Sequence, residues 1–192
     1  MRSLEKKLLR YIDAKLAGNG LAQSAIKRKD ARQVVALAGQ ALVGIKEKSG
    51  KNDGEMVELI QKTVGGAERE PWCLSFVMTC IAYAEVKTGL KSPLPATEHC
   101  QSLWLLAAKS LRVKTIPLAG AIAVWGDVGK TSGHAEVVLS SDGKTFQDVG
   151  GNTSGTTKAG AKVNRDGNGV YYTVRSMKST GKRKLLGFLK PF

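Results

Sequence analysis

The spacing of apolar residues changes once along this chain, close to Pro117, and this change constrains the fold more than any other feature. Before it, apolar residues recur at helical spacing, as in the first segment, where they fall at every fourth position. After it, short apolar stretches are separated by Gly, Asp and Asn, a pattern typical of strands and turns. The chain is therefore predicted to be α+β, with N-terminal helices followed by an antiparallel sheet.

The individual elements follow from local signals. Helices are predicted over residues 4–16, from 31 to about 45 behind an Asp30 N-cap, over 56–60, from Pro71 onwards, and over 100–109. Strands are predicted over residues 121–125, 135–140, 145–149, 169–175 and 185–190. Ser141, Asp142 and Gly143 are typical of a tight hairpin turn between two of these strands.

The charge of the chain is large and uneven. Its 192 residues suffice for one domain with its own core, and they carry a formal net charge of +14. Residues 1–50 contribute +7, residues 51–155 contribute −1, and residues 156–192 contribute +8. This distribution predicts that an anionic partner contacts the basic ends rather than the middle of the chain.

Cysteine usage indicates the compartment. Cys73, Cys80 and Cys100 are an odd number, too sparse for a disulfide scaffold, which predicts reduced thiols in a protein kept in the cytosol. Residues 1–18 carry too many charges for the apolar core of a signal peptide, and no apolar run is long enough to cross a membrane. We therefore expect a cytoplasmic location, with separate release if the substrate lies in the periplasm or cell wall.

Amide hydrolysis by a thiol needs a thiolate, a base and a group that orients the base. Cys73 falls in the first turn of a predicted helix, where the helix dipole favours a negative sulfur. Of the two histidines, His134 begins a predicted strand, whereas His99 lies in a loop. If the next strand pairs with that of His134, Asp148 or Asn152 comes within reach of the second ring nitrogen. Trp72, next to Cys73, is a candidate wall of the substrate groove.

Three segments resemble one known family, the cysteine, histidine-dependent amidohydrolase/peptidase (CHAP) domains. They occur in the family's order and are residues 71–77 (Pro-Trp-Cys-x-Ser-Phe-Val), 133–138 (Gly-His-x-x-Val-Val) and 150–152 (Gly-Gly-Asn). Glu47 and Asn52 also match the helix and loop that precede the family's cysteine. The resemblance covers roughly residues 32–192.

The resemblance implies a papain-like fold and hydrolysis of bacterial peptidoglycan, as an endopeptidase or an N-acetylmuramoyl-L-alanine amidase, without a metal or cofactor. It implies that Cys73 is the nucleophile, His134 the base and Asn152 the orienting residue. Many family members have Glu where Gly150 stands, so the orienting residue is Asn152 or comes from elsewhere, such as Asp148.

Residues 1–31, which have no counterpart in the family, are interpreted as a basic amphipathic helical extension of the catalytic domain, residues 32–192. Their Lys and Arg side chains can recruit the enzyme to anionic envelope polymer or lipid. Alternatively, their apolar stripe docks on the catalytic domain and completes its core. The stripe is Leu4, Leu8, Ile12 and Leu16.

A compact monomer of this kind, without wall-binding repeats, resembles a phage endolysin that acts on peptidoglycan and needs no nucleic acid. A secretion-system effector toxin with the same chemistry is the nearest competing hypothesis. Two further hypotheses are a peptidase of soluble proteins and a basic nucleic-acid- or membrane-binding protein whose Cys73 is inert. A zinc site is disfavoured because the cysteines and histidines lack the short spacings typical of zinc ligands.

Overall fold

The computed structural model of the chain describes residues 2–113, 115–130, 132–156, 164–178 and 183–192. Lys158, Lys162 and Lys182, which belong to the basic C-terminal segment, lie outside the described residues. Six helices occupy the N-terminal part of the described chain, and six strands follow them. The predicted α+β class is confirmed.

The helices are α1 Lys6–Leu16, α2 Gly20–Lys27, α3 Ala31–Ala41, α4 Glu55–Lys62, α5 Cys73–Thr88 and α6 Cys100–Leu106, with a 3₁₀ turn at Lys109–Leu111. The predicted N-cap of α3 is present, because Asp30 accepts a hydrogen bond from the backbone N–H of Gln33 (3.2 Å). Helix α2 was not predicted, although the Asn19 side chain caps it by accepting from the N–H of Ala22 (3.0 Å). In the described chain, no helix has the length and apolar character needed to cross a membrane.

The strands form one antiparallel sheet with the order β1-β6-β2-β3-β4-β5. Their bounds are β1 Arg112–Val113, β2 Ile122–Asp127, β3 Gly133–Ser141, β4 Thr145–Gly155, β5 Asn164–Ser176 and β6 Arg183–Leu189. The predicted hairpin between β3 and β4 is present, since the N–H of Asp142 donates to the carbonyl of Thr145 (3.2 Å) and Gly143 has φ +84°. Strand β4 extends six residues beyond the predicted end.

Helix α5 is the central helix of the core. Twelve consecutive residues, from Cys73 to Ala84, are buried, so the helix is apolar on all sides rather than amphipathic. It packs between α3 and the face of the sheet that carries Val137 and Val149. The helix begins at Cys73, two residues after Pro71, and ends at Thr88, before Gly89 in the left-handed conformation. This arrangement fixes the first turn of α5 against β3.

The N-terminal helices share this core. Leu8 and Ile12 are fully buried in the same apolar cluster as Cys73 and Phe76. Arg2 also forms an ion pair with Glu85 of α5 (2.9 Å). Residues 2–31 are therefore packed on the rest of the protein, which favours the docking interpretation of this segment. The basic residues Lys6 and Arg10 remain exposed on the outer face of α1.

Candidate active site

The first residue of α5 is Cys73, which is 7% exposed. At this position the backbone N–H has no partner within the helix, since the first four N–H groups of any helix are unpaired. The Sγ atom lies 3.8 Å from Sγ of Cys100, the first residue of α6. Cys73 is thus held at a helix N-terminus with a second thiol beside it.

His134 lies near the beginning of β3, where it pairs with Trp125 of β2. Gly133 permits this close approach, because a Cβ there would lie 2.3 Å from the carbonyl oxygen of Trp125 and 3.1 Å from Cβ of Cys100. The thiol of Cys73 and the imidazole of His134 lie close enough for each to shift the pKa of the other. The structure therefore brings together the predicted nucleophile and the predicted base.

The second ring nitrogen of His134 is held by Glu136, two residues further along β3. Nε2 of His134 lies 2.9 Å from Oε1 of Glu136, whose side chain is fully buried. Gly150, in the neighbouring strand, makes room for this carboxylate, because a Cβ there would lie 2.6 Å from both Cγ and Oε1 of Glu136. The carboxylate that holds His134 is thus supplied by β3, the strand of His134 itself.

Glu136 is in turn held by Arg175 of β5. The guanidinium is bidentate, with Nη2 donating to Oε1 (2.7 Å) and Nε donating to Oε2 (3.0 Å). Asp148 of β4 lies beside this pair, 3.9 Å from Nε of Arg175, and accepts a hydrogen bond from the Thr173 hydroxyl. The network therefore extends from the cleft across three strands to a side chain that is 36% exposed.

The electrostatics favour a thiolate–imidazolium pair. The hydrogen bond from Cys100 and the positive charge of His134 hold the pKa of Cys73 well below its ordinary value, against the effect of burial. Burial acts to lower the pKa of His134, but the negative charges of Glu136 and Cys73 outweigh it and raise this pKa to about 9. Both shifts favour the state in which the proton of the pair resides on His134.

The pKa values of the two buried carboxyl groups behind His134 are shifted in opposite directions. Burial opposes ionisation of Glu136, but His134, Asp148 and Arg175 hold its pKa well below the ordinary value. Burial and the charge of Glu136 raise the pKa of Asp148 well above its ordinary value, which favours its protonated form. Positive and negative charges then alternate from Cys73 through His134 and Glu136 to Arg175, and the network is neutral overall.

Asn152 does not contact His134 as predicted; the structure places Glu136 there instead. The pairing of β4 with β5 is irregular between Gly150 and Thr153, and Asn152 has φ +52°. The strict alternation that put Asp148, Gly150 and Asn152 on one face ends at this irregularity. The Asn152 side chain instead donates to Oε1 of Glu47 (3.1 Å) and to Oδ1 of Asn52 (2.7 Å).

Trp72 does not wall an open groove, because its side chain is fully buried. Its indole N–H donates to Oε1 of Glu47 (3.0 Å), the same oxygen that accepts from Asn152. Glu47 also accepts from the backbone N–H of Asn52 through Oε2 (2.9 Å). These four residues fasten the loop that follows α3 to β4 and to the residue before the nucleophile.

The cleft that opens on Cys73 has a volume of about 290 Å³. Its wall near the thiol is formed by Pro71, Cys100 and Gly133, and two carboxylates, Glu70 and Glu98, also line it. His99 lies at the same cleft with an exposed side chain, so it is placed at the rim rather than behind the nucleophile. The cleft is therefore acidic in a molecule whose net charge is strongly positive.

The remaining thiol, Cys80, is fully buried in the core, and burial raises its pKa. This environment suits a packing residue rather than a nucleophile. Within the described residues, no group of three or more His, Cys, Asp or Glu side chains has a geometry that could hold a metal ion.

Glu136 is the site residue that the sequence interpretation missed, although a signal for it exists. Residues two apart on a strand share one face, so a carboxylate two positions after a strand histidine lies beside it.

Comparison with known proteins does not identify a family for this chain. No protein-family model matches the sequence, and no curated protein is significantly similar to it.

Proposed function

We propose that this protein is a cysteine hydrolase with a papain-like arrangement that cleaves amide bonds in bacterial peptidoglycan. The observation that carries the proposal is the buried series Cys73–His134–Glu136, in which the thiol begins α5 and the other two side chains lie on β3. This is the set of groups that amide hydrolysis by a thiol requires.

The first half of the reaction forms a thioester. The Cys73 thiolate attacks the amide carbonyl carbon, and the unpaired N–H of Cys73 donates to the oxyanion that develops. His134 then gives its proton to the leaving nitrogen, the C–N bond breaks, and the amine departs. Glu136 keeps the imidazole oriented and stabilises its positive charge before the proton is transferred.

The second half of the reaction regenerates the enzyme. Neutral His134 accepts a proton from water as the water oxygen attacks the thioester carbon. The C–S bond then breaks, the carboxylic acid product leaves, and Cys73 returns to its thiolate form beside protonated His134. No net proton is consumed by the enzyme over the cycle.

Peptidoglycan as substrate is implied by the resemblance to CHAP domains, and two features support it. The cleft volume of about 290 Å³ accommodates a short peptide rather than a folded protein surface. Glu70 and Glu98 in the cleft complement the free amine of the diamino acid in a wall stem peptide. The role that follows is bacterial lysis, as by a phage endolysin released from the host cytoplasm.

The test is digestion of purified sacculi followed by mass spectrometry of the released fragments, which identifies the cleaved bond. Cys73→Ala and His134→Ala should each lower the rate on the order of 10³-fold or more, because nucleophile and base act as a unit. Cys80→Ala is the matched control, since it removes a thiol of the same helix outside the site, and it should keep most activity.

Full activity of Cys73→Ala would exclude the mechanism. If the wild-type protein leaves sacculi intact but cleaves soluble peptides in a Cys73-dependent manner, then the hydrolase chemistry holds and the wall substrate is wrong.

A further inference from the structure

A second, larger pocket lies at the β1 edge of the sheet, with a volume of about 800 Å³. Among the described residues, its lining combines basic and aliphatic side chains and contains no carboxylate. The basic members are Arg32, Lys109, Arg112 and Lys190, and the aliphatic members are Val113, Ile116, Leu118 and Ala121. This basic pocket is separate from the cleft of Cys73, which is lined by a different set of described residues.

The pairing of β1 with β6 brings these basic residues together from distant parts of the chain. Arg112 pairs with Leu189, and the N–H of Lys190 donates to the carbonyl of Leu111 (2.8 Å). The Arg112 guanidinium lies 4.4 Å from the centre of the Trp104 ring and donates through Nη2 to the Trp104 carbonyl (3.1 Å). One side of Arg112 is thereby fixed by the protein.

The positive charge of this pocket is not neutralised by the part of the protein that the structure describes. Within that part, none of its four basic side chains forms an ion pair, whereas Arg2, Arg175 and Arg183 each pair with a carboxylate. Four such cations around one concave surface create a local positive potential that attracts an anion. The ligand is therefore expected to carry negative charge.

The exposed aliphatic side chains narrow the class of ligand. Ile116 is 51% exposed and Leu118 is 61% exposed, beside Lys109 and Arg112. Exposed aliphatic groups bordered by Lys and Arg are typical of surfaces that enter the interface of an anionic membrane. A soluble polyanion would pair with the cations but would gain nothing from Ile116 and Leu118.

We propose that the basic pocket binds anionic phospholipid at a membrane surface, with the headgroup phosphate among the four cations and with Ile116 and Leu118 in the interface. Ala121, just before β2, lies four residues before Trp125, the partner of His134, which corresponds to about 13 Å of extended chain. The catalytic cleft and the basic pocket are thus separate, and the lipid site does not depend on the proposed hydrolase activity.

The test is co-sedimentation of the full-length protein with vesicles of phosphatidylcholine alone and of phosphatidylcholine with phosphatidylglycerol. Binding should require the anionic lipid. Lys109→Gln with Lys190→Gln should lower the partition coefficient about 30-fold, as expected for two lysines near an anionic surface. Lys51→Gln with Lys62→Gln removes the same charge outside the pocket and should have a much smaller effect.

The aliphatic contribution is measured at constant charge. Ile116→Ser with Leu118→Ser should weaken vesicle binding, whereas Val128→Ser with Val174→Ser, two exposed positions outside the pocket, should not. Thermal unfolding of each variant shows whether the fold is retained, and Arg112 is left unchanged because it packs on Trp104.

Two results would overturn the proposal. One is equal loss of vesicle binding in the pocket and control lysine variants, which would reflect net charge alone. The second is a pair of findings with the Ile116→Ser, Leu118→Ser variant. Its vesicle binding would equal that of the wild type, and soluble polyphosphate would bind in a manner that needs Lys109 and Lys190 but not the two aliphatic side chains. Because the vesicles contain no peptidoglycan, neither result depends on whether the protein is a hydrolase.

Discussion

The Sγ atoms of Cys73 and Cys100 lie 3.8 Å apart, and each belongs to the first residue of a helix. The positive charge of His134 also favours negative charge on the Cys73 sulfur. The pKa of Cys100 is raised well above its ordinary value by its hydrogen bond to Cys73 and by burial. Cys100 is thus a hydrogen-bond donor to the proposed nucleophile rather than a second nucleophile. Its role is to position and stabilise the Cys73 thiolate.

We expect Cys100→Ala to raise the pKa of Cys73 and Cys100→Ser to restore much of the lower value, because a hydroxyl also donates a hydrogen bond. The measurement is the rate of alkylation of Cys73 by iodoacetamide as a function of pH, with the modified residue identified by mass spectrometry. An unchanged pH profile in Cys100→Ala would show that Cys100 only fills space.

Glu136→Gln should lower turnover by about 10²- to 10⁴-fold, within the range that general acid–base catalysis contributes. The substitution keeps the shape of the side chain but removes the charge that orients and stabilises protonated His134. Asn152→Ala is the comparison, since Asn152 bonds to Glu47 and Asn52 instead, and it should lower thermal stability more than turnover. If Asn152→Ala lowered kcat more than Glu136→Gln does, Asn152 rather than Glu136 would be the residue that orients His134.

Activity should decline as the pH rises through about 9, because His134 then loses the proton that it gives to the leaving amine. The folded-state pKa of His134 is raised above its reference value of about 6.5, so its contribution to folding stability is present below about 6.5 and is lost as the pH rises through about 9. The pH profiles of kcat/KM and of thermal unfolding test this. In Glu136→Gln, the alkaline decline of activity should move to lower pH, and an identical profile would contradict the assignment.

Asp148→Asn should retain most activity and stability, because an amide resembles the protonated acid that burial and Glu136 favour at this position. Asp148→Ala should be more damaging, since it removes the closer of the two acceptors of the Thr173 hydroxyl and opens a small cavity beside Glu136, the other acceptor. Turnover and thermal unfolding of both variants are the measurements. Equal damage from Asp148→Asn and Glu136→Gln would mean that Asp148 is ionised.

Local sequence signals predicted the parts of this fold that local physics determines. The Asp30 cap, the Asp142 turn and the helix that begins near Pro71 follow from side-chain chemistry within a few residues. The position of Asn152 was predicted wrongly because it depends on how β4 pairs with β5. That pairing is irregular after Gly150, and the irregularity places Asn152 away from His134. Strand alternation cannot predict such an irregularity. It does predict that Glu136, two residues after His134 on the same strand, lies on the same face as His134.

Burial of Trp72 was equally beyond the sequence pattern. From its position next to Cys73, Trp72 was expected to form a wall of the groove. Its indole is instead buried in the core, where its N–H donates to Glu47, twenty-five positions earlier in the chain. The same holds for α1, whose apolar stripe predicted a buried face without specifying the surface that covers it.

The packing of α1 leads to a last prediction, that residues 2–31 are needed for the fold and not only for recruitment. Leu8→Ala and Ile12→Ala remove fully buried side chains and should each lower the free energy of unfolding by about 2–5 kcal/mol. Activities on sacculi and on soluble wall fragments should then fall together as the folded population falls. Lys6→Gln with Arg10→Gln changes exposed residues of the same helix and should leave stability nearly unchanged. If Leu8→Ala instead reduces activity on sacculi alone, with thermal unfolding unaltered, the segment acts in recruitment, and its packing on α3 and α4 contributes little to stability.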